Sequence, residues 1–140
     1  MRQNRPDINT DQILALAGNY ANARNTAMME AFSARPLSVL RQGIDRFLSR
    51  RYSECVRIMV DKILSQQASN DFHHMALCYI ARSYARSGDI ESAETVLAET
   101  DRIQVPAGYL ATARSLVEDV RKDIETMRAV ASRRPHPTAF

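Results

Sequence analysis

The sequence is poor in the residues that interrupt helices and in those that cross-link small domains. Its 140 residues include 4 glycines, 5 prolines, 2 cysteines and no tryptophan. So few glycines and prolines exclude a collagen-like or low-complexity chain, and two cysteines are too few for a disulfide scaffold. The remaining composition, with 45% hydrophobic and 25% charged residues, is that of a globular domain large enough to bury its own core.

Long apolar runs are also missing. No stretch approaches the roughly 18 consecutive apolar residues that a membrane-spanning helix needs, and the N-terminal sequence MRQNRPDINTDQ lacks the apolar run of a secretory signal. Cys55 and Cys78 fall among apolar neighbours in predicted helices, which favours two buried free thiols over a disulfide. We therefore expect a soluble, cytoplasmic protein.

Basic residues only slightly outnumber acidic ones. The net charge is +3, from 19 basic and 16 acidic residues, which favours an acidic partner without indicating nucleic acid. The stretch from Arg41 to Arg57 does place five arginines around Phe47 and Tyr52, and basic residues beside aromatic rings can bind RNA. A solvated, arginine-rich pair of helices is the more common source of such a stretch, so nucleic-acid binding is the least favoured function.

The spacing of apolar residues predicts an all-α protein of about six helices. We expect a single domain over residues 10–131, with flexible ends at 1–9 and 132–140. Pro36 is expected to close the first helix, Gly88 suits the left-handed residue that ends a helix, and Asp89 is placed to cap the next one. The helices after the first are predicted over about 37–49, 52–67, 72–87, 90–102 and 106–131.

The stretch from Met75 to Pro106 has the pattern of two helices joined by a tight turn. Small residues recur where the helices must cross closely, and large ones recur where hairpins stack. The positions that carry the pattern are Ala81, Tyr84, Gly88, Asp89, Ala93, Leu97 and Pro106. This pattern resembles the tetratricopeptide repeat, which implies stacked antiparallel helical hairpins that build a binding surface rather than a reaction centre.

A second, weaker copy of the pattern precedes this stretch. A shift of 38 residues places Gly43 under Ala81 and Cys55 under Ala93, whereas the usual period of the family is about 34. Close helix crossings are therefore expected between Gly43 and Cys55, and between Ala81 and Ala93. The first copy departs from the family because Arg46 stands where it has a tyrosine. The resemblance covers about residues 36–106, and a generic helical bundle is the alternative.

The sixth predicted helix does not continue the repeat. Its packing positions would hold Arg114, Ser115 and Glu118, and the helix is longer than the first helix of a repeat. We expect it to be a long C-terminal capping helix that covers the last apolar face.

In the tetratricopeptide family, the first helix of each hairpin lines a concave groove. By the register above, Leu37 and Leu48 belong to this groove in the first hairpin and Cys78 in the second. The candidate partner-binding residues in the groove are Leu40, Ile44, Phe47, Met75, Tyr79, Arg82 and Arg86. This set is apolar at one end and basic at the other, and an exposed patch of that kind needs an occupant.

Two occupants fit the predicted groove. One is the first helix of the chain itself, laid in the groove as a lid. The other is an amphipathic helix or an extended segment of a partner, anchored on Phe47, Met75 and Tyr79. Arg82 and Arg86, four residues apart on one helix face, would then clamp a carboxylate. Alternatively, the two arginines form a solvated face paired with nearby acids.

The sequence has few residues arranged to bind a metal or to catalyse a reaction. His73, His74 and Cys78 are the one cluster of metal-ligating side chains, and three ligands fall short of the usual four of structural zinc. The sequence has no glycine-rich phosphate loop and no Gly-x-Ser-x-Gly motif. We therefore expect no enzyme activity, no metal and no cofactor.

The leading interpretation is an adaptor or a small chaperone that binds a segment of another protein. Small helical chaperones of bacterial secretion systems are one class that the architecture resembles. A structural subunit or homo-oligomer of a larger assembly is the alternative.

Overall fold

All regular structure in the part of the chain that can be described is helical. The computed structural model describes residues 6, 8–17, 34–65 and 70–133, and within these ranges the expected all-α class is confirmed. The elements are α1 (Thr10–Ala17), α2 (Ala34–Leu48), α3 (Tyr52–Met59), a π-helical turn that continues α3 (Val60–Leu64), α4 (Asn70–Arg86), α5 (Ile90–Thr100), a short 3-10 turn (Ala107–Tyr109) and α6 (Leu110–Arg133).

Several predicted boundaries shift. Pro36 lies in the first turn of α2 instead of closing the first helix, because the first turn of a helix needs no N–H from its residues. Helix α4 begins at Asn70, two residues before the predicted start at 72, and the side-chain amide of Asn70 donates to the Gln104 carbonyl at 2.8 Å. The end of the predicted third helix at 66–67 and most of the expected flexible ends lie outside the described residues.

The turns that close α2 and α4 have the same geometry. Arg50 and Gly88 both have a left-handed backbone, with φ of 63° and 95°. In each turn the N–H of the following residue donates to the carbonyl five positions earlier, at 2.8 Å after Arg50 and 2.9 Å after Gly88. The N–H groups of Arg50 and Gly88 themselves donate to the carbonyl three positions earlier, both at 3.0 Å. A helix end with these two hydrogen bonds is the Schellman motif. The two turns are 38 residues apart, the offset that the sequence alignment gives.

The start of α5 confirms the predicted cap. The Asp89 carboxylate accepts the backbone N–H of Ser92 at 3.1 Å and its hydroxyl at 2.8 Å. At the corresponding start of α3, Arg51 provides no side-chain cap. Its guanidinium instead donates to Glu54 at 2.7 Å. The first hairpin therefore keeps the turn of the second and lacks its cap.

The side chain nearest to Gly43 comes from a different residue of α3 from the one expected. A Cβ built on Gly43 would lie 2.6 Å from the Cε atom of Met59, so the side chain that needs the glycine is Met59 and not Cys55. Cys55 is also fully buried, one turn earlier on α3. The glycine is required because the long methionine side chain fills the space between the two helices.

Helix α4 is at the centre of the packing. It contacts α2 and α3 on one side and α5 and α6 on the other. The N-terminal segment packs elsewhere: α1 lies against α5 and the π-helical turn, and the Tyr84 hydroxyl donates to the Ile8 carbonyl. The described part of the first helix therefore lies on the second helices of the hairpins, and the expected lid over the first helices is not formed by it.

Candidate protein-binding surface

One stripe of α4 keeps partial solvent exposure, and the rest of this part of the helix is buried. Between Met75 and Arg86, the residues that keep solvent exposure are Met75, Tyr79, Arg82 and Arg86, spaced three or four apart. Such spacing puts them on one face of the helix. They are four of the five residues of α4 that the sequence assigns to the groove. The fifth, Cys78, is fully buried, so its assignment to the groove is wrong.

The groove residues of α2 are divided between core and surface. Leu40 and Phe47 are only 2% and 1% exposed, so they do not form the open apolar patch that the sequence predicts. Phe47 is buried because the edges of the Tyr52 and Tyr79 rings meet it, at centroid distances of 5.7 and 5.3 Å. Ile44 remains half-buried.

Two guanidinium groups complete the burial of Phe47. The central carbon atoms of Arg82 and Arg86 lie 4.7 and 4.8 Å from its ring centroid. Cations at this distance from a ring face are attracted by its negative quadrupole. The aromatic residue expected to anchor a partner is thus covered by the two arginines expected to clamp one.

The carboxylate between the two arginines comes from α6 of the same chain. Asp123 accepts from the Nε atom of Arg82 at 2.7 Å, and from the Nε and Nη2 atoms of Arg86 at 3.1 and 3.3 Å. The side chains of Asp123 and Arg82 are 12% and 14% exposed, so solvent screens this ion pair weakly. Burial alone would lower the pKa of Arg86, but its hydrogen bond and attraction to Asp123 outweigh burial and raise that pKa.

The sequence analysis missed Asp123. A signal was present, because this acid adjoins Ile124 on the apolar side of the sixth helix, where an uncompensated carboxylate would be costly. A buried acid on one helix and two arginines on one face of another are a complementary pair. The arrangement fastens α6 to α4 and occupies the basic end of the predicted groove.

The two ends of the helix stack differ in polarity. At the α2 end, Leu48 is 70% exposed and Ile44 is half-buried. In the second hairpin, 38 residues later, the position equivalent to Ile44 holds Arg82 and the position equivalent to Leu48 holds Arg86. At the opposite end, every exposed residue of α6 between Arg114 and Thr126 is polar. The α2 end therefore presents apolar surface to solvent, whereas the middle of α6 has the polarity of a cap, and the large exposed apolar residues of α6, Leu110 and Val130, lie near its two ends.

The residues considered for chemistry are buried and paired with one another. The Sγ atom of Cys78 lies 3.8 Å from Nδ1 of His74, whose ring meets that of Tyr109 edge-on. Burial raises the pKa of the Cys78 thiol to about 12 and that of Cys55 to about 11. Both cysteines are free and buried, as expected. Thiols of this kind are protonated at neutral pH and react poorly as nucleophiles.

Neither a metal cluster nor a membrane span is found in the described ranges. Within residues 8–17, 34–65 and 70–133, no three histidine, cysteine or acidic side chains are grouped to hold a metal ion. None of the helices in these ranges combines the length and the apolar character needed to cross a bilayer.

No protein-family model, no curated protein and no solved structure matches this chain. The case for its function therefore depends on its own residues, above all on the open α4 stripe and the apolar end of α2.

Proposed function

We propose that this chain is a protein–protein interaction module, an adaptor or small chaperone built from tetratricopeptide-like hairpins. It holds a helix or an extended segment of a partner against the first helices of its hairpins. The docking face, as we define it, consists of Ile44 and Leu48 on α2 and Met75 and Tyr79 on α4.

The observation that carries the proposal is the exposure of Leu48, which is 70% open to solvent beside a half-buried Ile44. Phe47, between them in sequence, contacts Tyr79, so α2 and α4 meet at this point. Burying a leucine side chain contributes roughly 1.5–3 kcal/mol, and aliphatic side chains on one helix face are what an amphipathic segment buries when it binds.

The repeat architecture is supported by the two equivalent turns at Arg50 and Gly88. Their separation of 38 residues and their shared hydrogen-bond pattern are what a duplicated helical hairpin requires. Repeats of this kind contact only their neighbours, which leaves the first helices side by side on one surface.

Photo-crosslinking in the cell of origin tests the proposal. A photoreactive phenylalanine analogue replaces Leu48 on the docking face, and in a matched control it replaces Val130, which is 42% exposed near the end of α6. We expect a discrete covalent adduct with another protein from position 48 and none from position 130. The absence of an adduct at 48, or the same adducts from both positions, would contradict the proposal. An adduct between two copies of this chain would identify the homo-oligomer instead.

Substitutions on the docking face complete the test. Leu48→Glu places a charge at a site that is already 70% exposed, so we expect the adduct of a photoreactive residue at Met75 to disappear while helical content by circular dichroism is unchanged. Phe47→Glu is unsuitable, because a carboxylate at a site that is 1% exposed would disrupt folding itself. Val130→Glu is the matched surface control.

A further inference from the structure

The two hairpins carry opposite charge. Residues 34–64, which include α2 and α3, hold seven basic and three acidic residues. Residues 70–100, which include α4 and α5, hold two basic and five acidic residues. The mild excess of positive charge in the whole chain is therefore concentrated in the hairpin that also exposes Leu48.

Two arginines border the exposed aliphatic residues of α2. Arg41 lies one turn before Ile44 on the helix, and Arg50 lies two residues after Leu48. Both arginines are exposed, and among the described residues neither forms an ion pair.

The neighbouring arginines differ in this respect. Arg46 and Arg51 share the one carboxylate of Glu54, at 3.1 and 2.7 Å, so each already has an acidic partner within the first hairpin. Arg41 and Arg50, on either side of the aliphatic pair, form no ion pair within the described ranges and can meet a new carboxylate.

We propose that the segment bound at this end of the docking face is acidic and amphipathic. Its aliphatic side chains cover Ile44 and Leu48, and its carboxylates meet Arg41 and Arg50. This inference rests on the proposed function and adds the chemistry of the partner to it. Charge-assisted contacts at the border of an apolar contact fix register and speed association.

A second copy of the chain fits this surface less well. A symmetric dimer would place the α2 surface of one copy against that of the other, and Arg41 and Arg50 would face the same basic surface. Like charges brought together in this way cost several kcal/mol in an interface. An isologous dimer is therefore disfavoured here.

Nucleic acid is also a poor match. Single-stranded nucleic acids bind where bases stack on aromatic rings beside basic residues. Here the most exposed apolar side chain is the aliphatic Leu48, the Phe47 ring is buried, and the half-buried Tyr79 ring already contacts Phe47 and Arg82. Aliphatic groups between cations complement an amphipathic protein segment.

Two designed peptides test the inference with the full chain. Both are fluorescein-labelled helical peptides with leucines at a spacing of three and four residues, and they differ only in their flanking residues, which are glutamate in one and lysine in the other. Fluorescence anisotropy measures their affinity. We expect the glutamate peptide to bind and the lysine peptide to bind at least about tenfold more weakly, with affinity for the former falling as salt rises.

Substitutions on α2 test whether the glutamate peptide binds at this surface. Arg41→Glu combined with Arg50→Glu is expected to weaken binding of the glutamate peptide at least about tenfold, as is Leu48→Glu alone. The matched control combines Arg121→Glu with Lys122→Glu on the outer face of α6, makes the same change in net charge, and should leave the affinity unchanged. Circular dichroism verifies that each variant is folded.

Three results would overturn the inference: equal binding of the two peptides, an affinity unchanged by the Arg41/Arg50 substitutions, or tighter binding of a 20-nucleotide single-stranded RNA than of the glutamate peptide. These failures are distinct from failure of the proposed function. An adduct at position 48 in the cell without acidic-peptide binding leaves the interaction module standing and removes the acidic partner. The absence of any adduct removes the module itself.

Discussion

Arg50 and Gly88 occupy the same place in two helix-ending turns, and only Gly88 suits that place. The backbone at both positions has positive φ, 63° and 95°. Glycine adopts this conformation freely, whereas a residue with a Cβ atom does so at a cost of roughly 1–2 kcal/mol. The first hairpin therefore contains a local strain that the second does not.

Replacing Arg50 with glycine should stabilise the protein. We expect Arg50→Gly to raise the free energy of unfolding by roughly 0.5–1 kcal/mol, because the relief of strain exceeds the entropy that glycine gains in the unfolded chain. Gly88→Ala should lower it by about 1 kcal/mol through strain alone, since nothing lies within 4 Å of a Cβ there. The midpoint of urea unfolding at constant slope measures both, and a lower midpoint for Arg50→Gly would contradict the assignment.

Gly43→Ala should destabilise the contact between α2 and α3. The added methyl carbon would meet the end of the Met59 side chain, with Cε at 2.6 Å, and overpacking in a buried site costs about 1–3 kcal/mol. Because alanine also favours the helix by about 1 kcal/mol over glycine, we expect a net loss of about 1 kcal/mol. Gly108→Ala is the control, because a Cβ at Gly108 has open space around it. Urea unfolding of the two variants compares them, and equal midpoints would show that Met59 moves aside without cost.

Asp123→Asn should loosen α6. Removing the charge leaves Arg82 and Arg86 without a counterion in a partly buried site, and we expect a loss of about 2–3 kcal/mol in unfolding free energy. Glu125→Gln, two residues away and exposed, should change it by less than about 0.5 kcal/mol. Hydrogen exchange should also show earlier exchange of α6 amides in Asp123→Asn, whereas equal exchange in both variants would argue against Asp123 as the fastening residue.

His74 should make stability depend on pH. Burial lowers the pKa of His74 from its ordinary 6.5, against an opposing effect of Asp101. The unfolded chain then takes up the proton first, so stability is complete above about pH 6.5 and falls as the pH drops through that value. His74→Phe keeps a ring against Tyr109 and removes the proton site, and we expect its unfolding free energy to fall less between about pH 7.5 and 5.5. An identical slope in the two proteins would exclude His74 as the cause.

Local signals in the sequence predicted the local structure well. Gly88 and Asp89 were assigned a left-handed turn and a cap from residue type alone, and both are confirmed because these roles depend only on a few neighbouring atoms. The stripe from Met75 to Arg86 followed from the register of the resemblance to the tetratricopeptide repeat.

Contacts between distant parts of the chain were harder to predict. Asp123 reaches Arg82 across 41 positions, and periodicity along one helix does not say which helix it will face. Phe47 was assigned to an open groove for the same reason, since its burial is produced by rings and guanidinium groups from other helices. The conformation of Arg50 was missed because arginine carries no turn signal.

The opposite charges of the two hairpins also have a kinetic consequence. A positive first hairpin beside a negative second hairpin gives the molecule an electric dipole, and this dipole turns it in the field of an approaching charged molecule. An acidic partner would therefore tend to arrive with the Leu48 end already facing it, before any contact forms. The rate of encounter, more than the lifetime of the complex, would then depend on ionic strength.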